Sequence, residues 1–317
     1  MSASGSRIDV LTLNPTVDVG YEVPRLLEDR KVPATDTRYD PGGNGVNVGR
    51  ALEVLGMPAC NHCLVAGEIG EFLERLLQRH IGNVRYFRLR EGSTRICCTI
   101  LQETPAAQFE VSAVGPEVDP DTLAQIEQTF VTRARGYAVL TGSLPRGVPD
   151  DIYARLARVL SGNGARVVLD AHGPVLSQGV HEPLFLVKPN RYELEELCGR
   201  QLPSLPAVIE AARDLQARDI EYVCVSLGAE GAVMVGPEGV AWRAHTVAVK
   251  ARSTVGAGDS MVAGLVAAFA AGGSPVDALA QGVACGSGTA AKPGTMLFTR
   301  EDIARTLECV SVRRIDG

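Results

Sequence analysis

Short apolar runs alternate with longer amphipathic stretches along this chain, a rhythm that predicts an α/β fold. Strands are predicted at Ile8–Leu13, Tyr137–Thr141, Val167–Asp170, Leu184–Lys188 and Tyr222–Ser226. Helices are predicted at Val46–Leu55, Phe72–Arg79, Asp121–Thr132, Ile152–Ser161, Tyr192–Cys198, Leu205–Ala217 and Ser260–Ala271. Pro120-Asp121 and Pro149-Asp150-Asp151 supply helix starts. Two regions break the rhythm. Val17–Tyr39 and Arg95–Ser112 alternate apolar and polar residues like exposed strands, with no long helix between their members. Thr94–Gln102 and Gln108–Val114 read as a hairpin around Glu103–Ala107. These segments predict a small β sheet that covers a site or pairs with another subunit. Without an internal repeat or low-complexity linker, the parse is one domain over 1–317, the small sheet coming from segments near 15–40 and 86–114.

Composition narrows the function classes. Hydrophobic residues make up 45% and charged residues 21% of the 317, as in an ordinary globular protein. With 31 basic and 37 acidic side chains the net charge is −6, which argues against a nucleic-acid surface. Apolar runs such as Val262 to Ala271 are too short to span a bilayer, so no membrane partner is expected. No early segment has the layout of a secretory signal, and the eight cysteines are scattered, so a reducing cytoplasm is expected. Cys60-Asn61-His62-Cys63 is a lone CxxC without a second pair at ligand spacing, and reads as structural or incidental.

The richest stretch is Ser253-Thr254-Val255-Gly256-Ala257-Gly258-Asp259-Ser260, ahead of a strongly apolar run. Gly256 and Gly258 permit a tight turn whose free N–H groups, at a helix N-terminus, can hold an anion. Asp259 beside it could take a proton from a hydroxyl, which suggests phosphoryl transfer. The same residues would also serve as a glycine turn with a helix cap. A second cluster, Asp40-Pro41-Gly42-Gly43-Asn44-Gly45-Val46-Asn47, allows a polyhydroxylated ligand to approach the backbone, with Asn47 giving and accepting hydrogen bonds. It is not GxGxxG, and GxxxxGK[ST] is absent, which weakens an NAD-dependent oxidoreductase reading. Asp18, after the first strand, suits sugar hydroxyls or a turn cap. Lys31, Arg38 and Arg95 could meet a substrate phosphate, with surface solvation favoured for Arg38. Asn190 and Glu193 could organise hydrated Mg²⁺, and they equally form a capping box. Ser226-Leu227-Gly228 is a further strand-to-turn phosphate candidate.

Together with Asn14-Pro15, Thr141-Gly142-Ser143-Leu144-Pro145, Lys188-Pro189-Asn190 and Gly294-Thr295, these motifs make the chain resemble the ribokinase-like, PfkB-type sugar kinases over nearly its whole length. Within them it resembles the phosphofructokinase and tagatose-phosphate kinase branch. The resemblance implies a three-layer α/β/α sandwich with a mainly parallel central sheet, a β lid through which dimers often form, and ATP with Mg²⁺. It implies Asp259 as base and Gly256, Ala257 and Gly258 as anion hole. Asp18, Gly43 and Asn47 would hold the sugar, and Lys31, Arg95 and Ser143 its phosphate. Lys188, Ser226, Gly228 and Thr254, with Gly256 and Gly258, would serve the nucleotide, and Asn190 and Glu193 the metal through water. Fructose 6-phosphate is the favoured acceptor, ahead of fructose 1-phosphate and tagatose 6-phosphate. A catalytically silent sugar-phosphate sensor is the reading from a different class. Relatives that use K⁺ supply neutral oxygens near Lys292, so its ammonium is expected to replace that cation or simply to be solvated.

Overall fold

Runs such as 137–141, buried on both faces, are what a parallel sheet sandwiched by helices requires. The computed structural model describes residues 7–246 and 251–315; residues 1–6, 247–250 and 316–317, which the one-domain expectation over 1–317 includes, lie outside the described residues. In chain order these form β1 (Ile8–Thr12), β2 (Thr16–Val23), β3 (Asp36–Gly42), α1 (Asn44–Val54), β4 (Ala59–Ala66), α2 (Gly67–Leu77) and β5 (Val84–Leu89). Then come β6 (Arg95–Gln102), β7 (Ala107–Val111), α3 (Pro120–Arg133), β8 (Tyr137–Thr141), α4 (Ile152–Gly162), β9 (Arg166–Asp170), α5 (Gly173–Gly179) and β10 (Leu184–Val187). The remainder is α6 (Arg191–Cys198), α7 (Leu205–Gln216), β11 (Ile220–Ser226), β12 (Ala232–Val235), β13 (Ala241–His245), α8 (Ala257–Ala270), α9 (Pro275–Ala290), α10 (Arg300–Glu308) and β14 (Ser311–Ile315).

The large sheet has the order β14-β13-β12-β11-β10-β9-β8-β1-β4-β5. From β11 to β5 every neighbouring pair is parallel, while β12 to β14 extend one edge as antiparallel strands. Alternation along each strand feeds two helical layers. Tyr137 and Val139 of β8 pack with Leu52, Leu265 and Leu279 from α1, α8 and α9. Ala138 and Leu140 pack with Ile126, Leu156 and Leu215 from α3, α4 and α7. This is the expected α/β/α sandwich.

The small sheet, β3-β2-β6-β7, is separate. Val17 and Val19 of β2 pack on Leu73, Leu76 and Leu77 of α2, which anchors that sheet to the main body. Its second part begins at Arg95 rather than near 86. Residues 84–89 form β5, paired parallel with β4, because Phe87 and Leu89 turn into the main core. Helix α2 starts five residues before the predicted Phe72, its first turn hidden by Gly67 and Gly70. Helix α8 starts at Ala257, not Ser260, which puts Asp259 inside the first turn.

Phe185 on β10 packs edge-on against Tyr137, Tyr222 and Phe269, with ring centroids 5.4, 5.3 and 5.1 Å away. Phe185→Ala is expected to cost about 3–5 kcal/mol, read as a lower urea midpoint at unchanged slope.

Candidate active site

The parallel strands carry the candidate residues at their C-terminal ends, where the helix N-termini of α1 and α8 also open. Gly256 caps α8 in the left-handed region at φ 73°, a conformation that side chains rarely adopt. This turns the backbone so that Asp259 enters the first turn, 5% exposed. Two amides from α1 hold its carboxylate: Asn44 Nδ2 donates to Oδ1 and Asn47 Nδ2 to Oδ2, each at 2.9 Å. Burial raises the Asp259 pKa to about 6 with help from Asp170, against the lowering effect of the two amides and Lys188.

Lys188 follows β10 and is 4% exposed. Its ammonium pairs with Asp170, the last residue of β9, at 3.2 Å. Burial opposes the charged lysine, yet Asp170 and Glu193 outweigh it and the Lys188 pKa is raised. A Cβ placed on Gly258 would stand 3.5 Å from Nζ, so the ammonium lies beside the turn that precedes Asp259. A cavity of about 290 Å³ is lined by Ser226, Gly228, Thr254, Ala257, Gly258 and Met261, among others. Its walls are small and uncharged, and Gly258, one of the residues lining it, is the glycine beside the Lys188 ammonium.

A second group gathers around β2, β3 and the start of α1. Asp18 on β2 sits opposite Asp40 on β3, and a Cβ on Gly42 would collide with the Asp18 carboxylate. Burial raises the Asp18 pKa to about 7, although Arg95 and Arg50 pull it down. Gly43, at φ 100°, caps α1 and lies against Pro15. Arg95 Nη2 donates to the Asn14 carbonyl at 2.8 Å, and Asn14 Nδ2 donates to Ser143 Oγ at 3.2 Å, so Arg95 and Ser143 converge on one loop. Lys31 is exposed in the loop between β2 and β3 and, among the described residues, has no ion pair or hydrogen bond. Arg38 pairs with Asp36 at 3.6 Å on the surface, as its solvated reading expects.

Asn190 and Glu193 form a complete capping box on α6. Asn190 Oδ1 accepts from Glu193 N at 2.9 Å and Glu193 Oε2 from Asn190 N at 2.7 Å, which leaves Glu193 Oε1 outside the box. A backbone bridge between Asn190 and Ser226 sets this cap next to the cavity wall. Lys292 Nζ lies 2.6 Å from Asp302 Oδ2, on the capping box of α10, so a carboxylate holds its ammonium. That contact, against the cost of burial, brings the Asp302 pKa down to about 2. The CxxC is also resolved: Cys60 faces Asp9 and His62, whereas Cys63 packs with Val65 and Leu73. Arg7 closes the Asp9–His62 pair with a hydrogen bond of 2.8 Å to Asp9, and all eight cysteines are free thiols.

Asn44 and Asp170 escaped the sequence reading. Asp170 carried a signal as the final residue of a predicted strand, whereas Asn44, 215 positions from Asp259, carried none beyond its place in the glycine cluster.

A model of the pfkB family of carbohydrate kinases matches residues 11–302, and the chain belongs to that family. It is 35% identical over 317 residues to a 1-phosphofructokinase of Rhodobacter capsulatus, covering 98% of each chain. It is 33% identical to the ATP-dependent 6-phosphofructokinase isozyme 2 of Mycobacterium tuberculosis over 310 residues, covering 95% of this chain and 89% of that one. The solved structure of phosphofructokinase-2 from Escherichia coli in complex with potassium superposes with a TM-score of 0.90 at 31% identity, covering 96% and 98%.

Proposed function

We propose that this protein transfers the γ-phosphoryl group of ATP to a hexose phosphate, with fructose 6-phosphate as acceptor and fructose 1,6-bisphosphate as product. The observation that carries the reading is the position of Asp259. It directly follows Gly258, which lines an uncharged cavity and lies beside the buried Lys188, and it is bonded by Asn47 of α1, the helix that Gly43 caps. The cavity would take the nucleoside of ATP, with Ser226, Gly228 and Thr254 on its wall and Lys188 toward the phosphates. Asp18, Gly43 and Asn47 would hold the sugar ring, and Arg95 with Ser143 its existing phosphate, joined by Lys31 if the small sheet closes as a lid. Asp259 would take the proton of the attacking hydroxyl, and the N–H groups of Gly256, Ala257 and Gly258 would hold charge on the moving phosphoryl group.

The donor set fits Mg²⁺. Glu193 keeps one carboxylate oxygen free of its capping box, beside Lys188 and Asp170, and with Asn190 it would hold the hydrated ion that screens the phosphates. Ile96, Phe109 and Val111 are exposed on the small sheet and support a homodimer formed through it. Eight free thiols fit a reducing cytoplasm.

The second reading keeps the chemistry and changes the acceptor to fructose 1-phosphate. The identity to the Rhodobacter 1-phosphofructokinase favours it. Comparing kcat/KM for fructose 6-phosphate, fructose 1-phosphate and tagatose 6-phosphate decides between them; a higher value for fructose 1-phosphate overturns the preferred acceptor. Monovalent-cation use follows from Lys292. With its ammonium on Asp302, exchange of tetramethylammonium for K⁺ is expected to raise kcat. Equal rates in the two salts would return the cation role to Lys292.

A further inference from the structure

We infer that Arg50 is a positioning residue of this site, one that fixes the Asn47 amide against Asp259 and balances the two carboxylates facing each other across β2 and β3. The inference rests on the kinase reading above. Arg50 lies on α1 one turn beyond Asn47 and is 8% exposed, so its charge must find partners inside the protein. Nη1 donates to the Pro41 carbonyl at 3.0 Å and to Asn47 Oδ1 at 3.4 Å. Pro41 is the penultimate residue of the lid-side strand β3, so one guanidinium ties that strand to the helix that contacts the catalytic carboxylate.

The second bond sets the direction of an amide. Asn47 has an accepting end and a donating end. With Arg50 on Oδ1, Nδ2 faces Asp259 Oδ2, which it reaches at 2.9 Å. Turning the amide over would point NH₂ at the guanidinium and C=O at the carboxylate, exchanging two attractive contacts for two repulsive ones. The remaining groups facing Asp259 are Asn44 from α1, Asp170 from β9 and Lys188 after β10. Arg50 therefore reaches the base through Asn47 alone.

The charge of Arg50 has a separate effect. Asp18 and Asp40 are directly opposed across the strand pair, where like charges repel. Arg50 from α1 and Arg95 from β6 are the cations that favour ionised Asp18; Asp40 faces Arg50 and accepts from Thr295 Oγ1 at 2.6 Å, and His80, after α2, faces both Arg50 and Asp40, its pKa lowered by burial and then by Arg50. Loss of the guanidinium thus disfavours the ionised form of both the sugar-side carboxylate and the base.

Two variants separate the duties. Arg50→Met keeps the length of the side chain and removes charge and donors. It is expected to move the acid limb of the kcat/KM profile for the sugar phosphate upward by about one pH unit. At neutral pH kcat/KM should fall about 30- to 100-fold, with KM for ATP within a few-fold of wild type. Arg50→Lys keeps the charge but ends short of the Nη1 position that makes both bonds, so its acid limb should stay near wild type while kcat falls about tenfold. The pH profiles of ADP release by the three proteins, with a thermal melt of each, make the test. An unmoved acid limb in Arg50→Met overturns the inference whatever the rate, because loosened packing alone lowers activity evenly across pH. Should Arg50→Met not fold, wild-type kcat in Arg50→Lys overturns it. A carboxyl ¹³C NMR titration of Asp259 in wild type and in Arg50→Lys or Arg50→Met needs no turnover. An upward shift in Arg50→Met supports the inference even if the kinase reading fails, and matching curves in all three proteins reject it.

Discussion

Asp259→Asn is expected to lower kcat by about 10²- to 10⁴-fold while sugar-phosphate and ATP affinities stay within a few-fold. The amide keeps the shape of the carboxylate and accepts from Asn47, with Asn44 turned over to accept from its NH₂, and it loses the ability to accept a proton. In the wild type the base works only when ionised, and its pKa is raised to about 6, so kcat/KM should fall with acid near that value. The same shift has a consequence for stability. A carboxyl whose folded pKa lies above its unfolded value near 3.8 penalises folding once it ionises, so the penalty grows between about pH 4 and 6 and is complete above that window. Asp259→Asn should therefore be more stable than wild type at pH 8, by about 1–2 kcal/mol, with the difference closing toward pH 4. Isothermal titration and urea unfolding at the two pH values check both parts. Turnover near wild type in Asp259→Asn would take the base role from this residue.

Lys188→Met carries the second large effect. Removing one partner of a buried ion pair leaves Asp170 charged without its cation and should cost about 3–5 kcal/mol. Turnover should fall by about 10²-fold or more, because the ammonium beside Gly258 of the 256–258 turn is gone. The stability loss should be flat through neutral pH. A lysine whose folded pKa is raised contributes fully below the unfolded value and loses its contribution only as pH rises through the folded one. Adding Asp170→Asn to Lys188→Met should recover most of the stability and none of the activity, since the amide no longer needs a counter-charge. A double variant no more stable than Lys188→Met would place the loss in packing rather than in the stranded carboxylate.

What the sequence disclosed follows the range of each signal. The strand 137–141 and helix 152–162 are written locally, in an apolar run and in a Pro-Asp start with helical spacing, and both stand within a residue of expectation. Strands β12 to β14 were passed over because short antiparallel edge strands have neither a long apolar run nor a following helix. Helix α9 was missed because small residues fill it, including three glycines, although Ser274 with Asp277 caps it fully. At the site, the Gly256–Asp259 turn was legible because its chemistry lies in consecutive residues. The Asp170–Lys188 pair needed the knowledge that β9 and β10 are neighbours. The Asn44 and Asn47 fork on Asp259 joins opposite ends of the chain, and only the packing of α1 against α8 reveals it. Lys31, assigned to the sugar phosphate by resemblance, stands in the exposed loop between β2 and β3, where local sequence carries no signal of what it meets.

The most direct test of the account is the stoichiometry of turnover: purified protein with ATP, Mg²⁺ and fructose 6-phosphate, with ADP and fructose 1,6-bisphosphate measured in the same reaction. The account predicts both products in equal amounts, dependent on the sugar phosphate and nearly abolished in Asp259→Asn. ADP release without bisphosphate, or no ADP release with any of the three hexose phosphates, would contradict it.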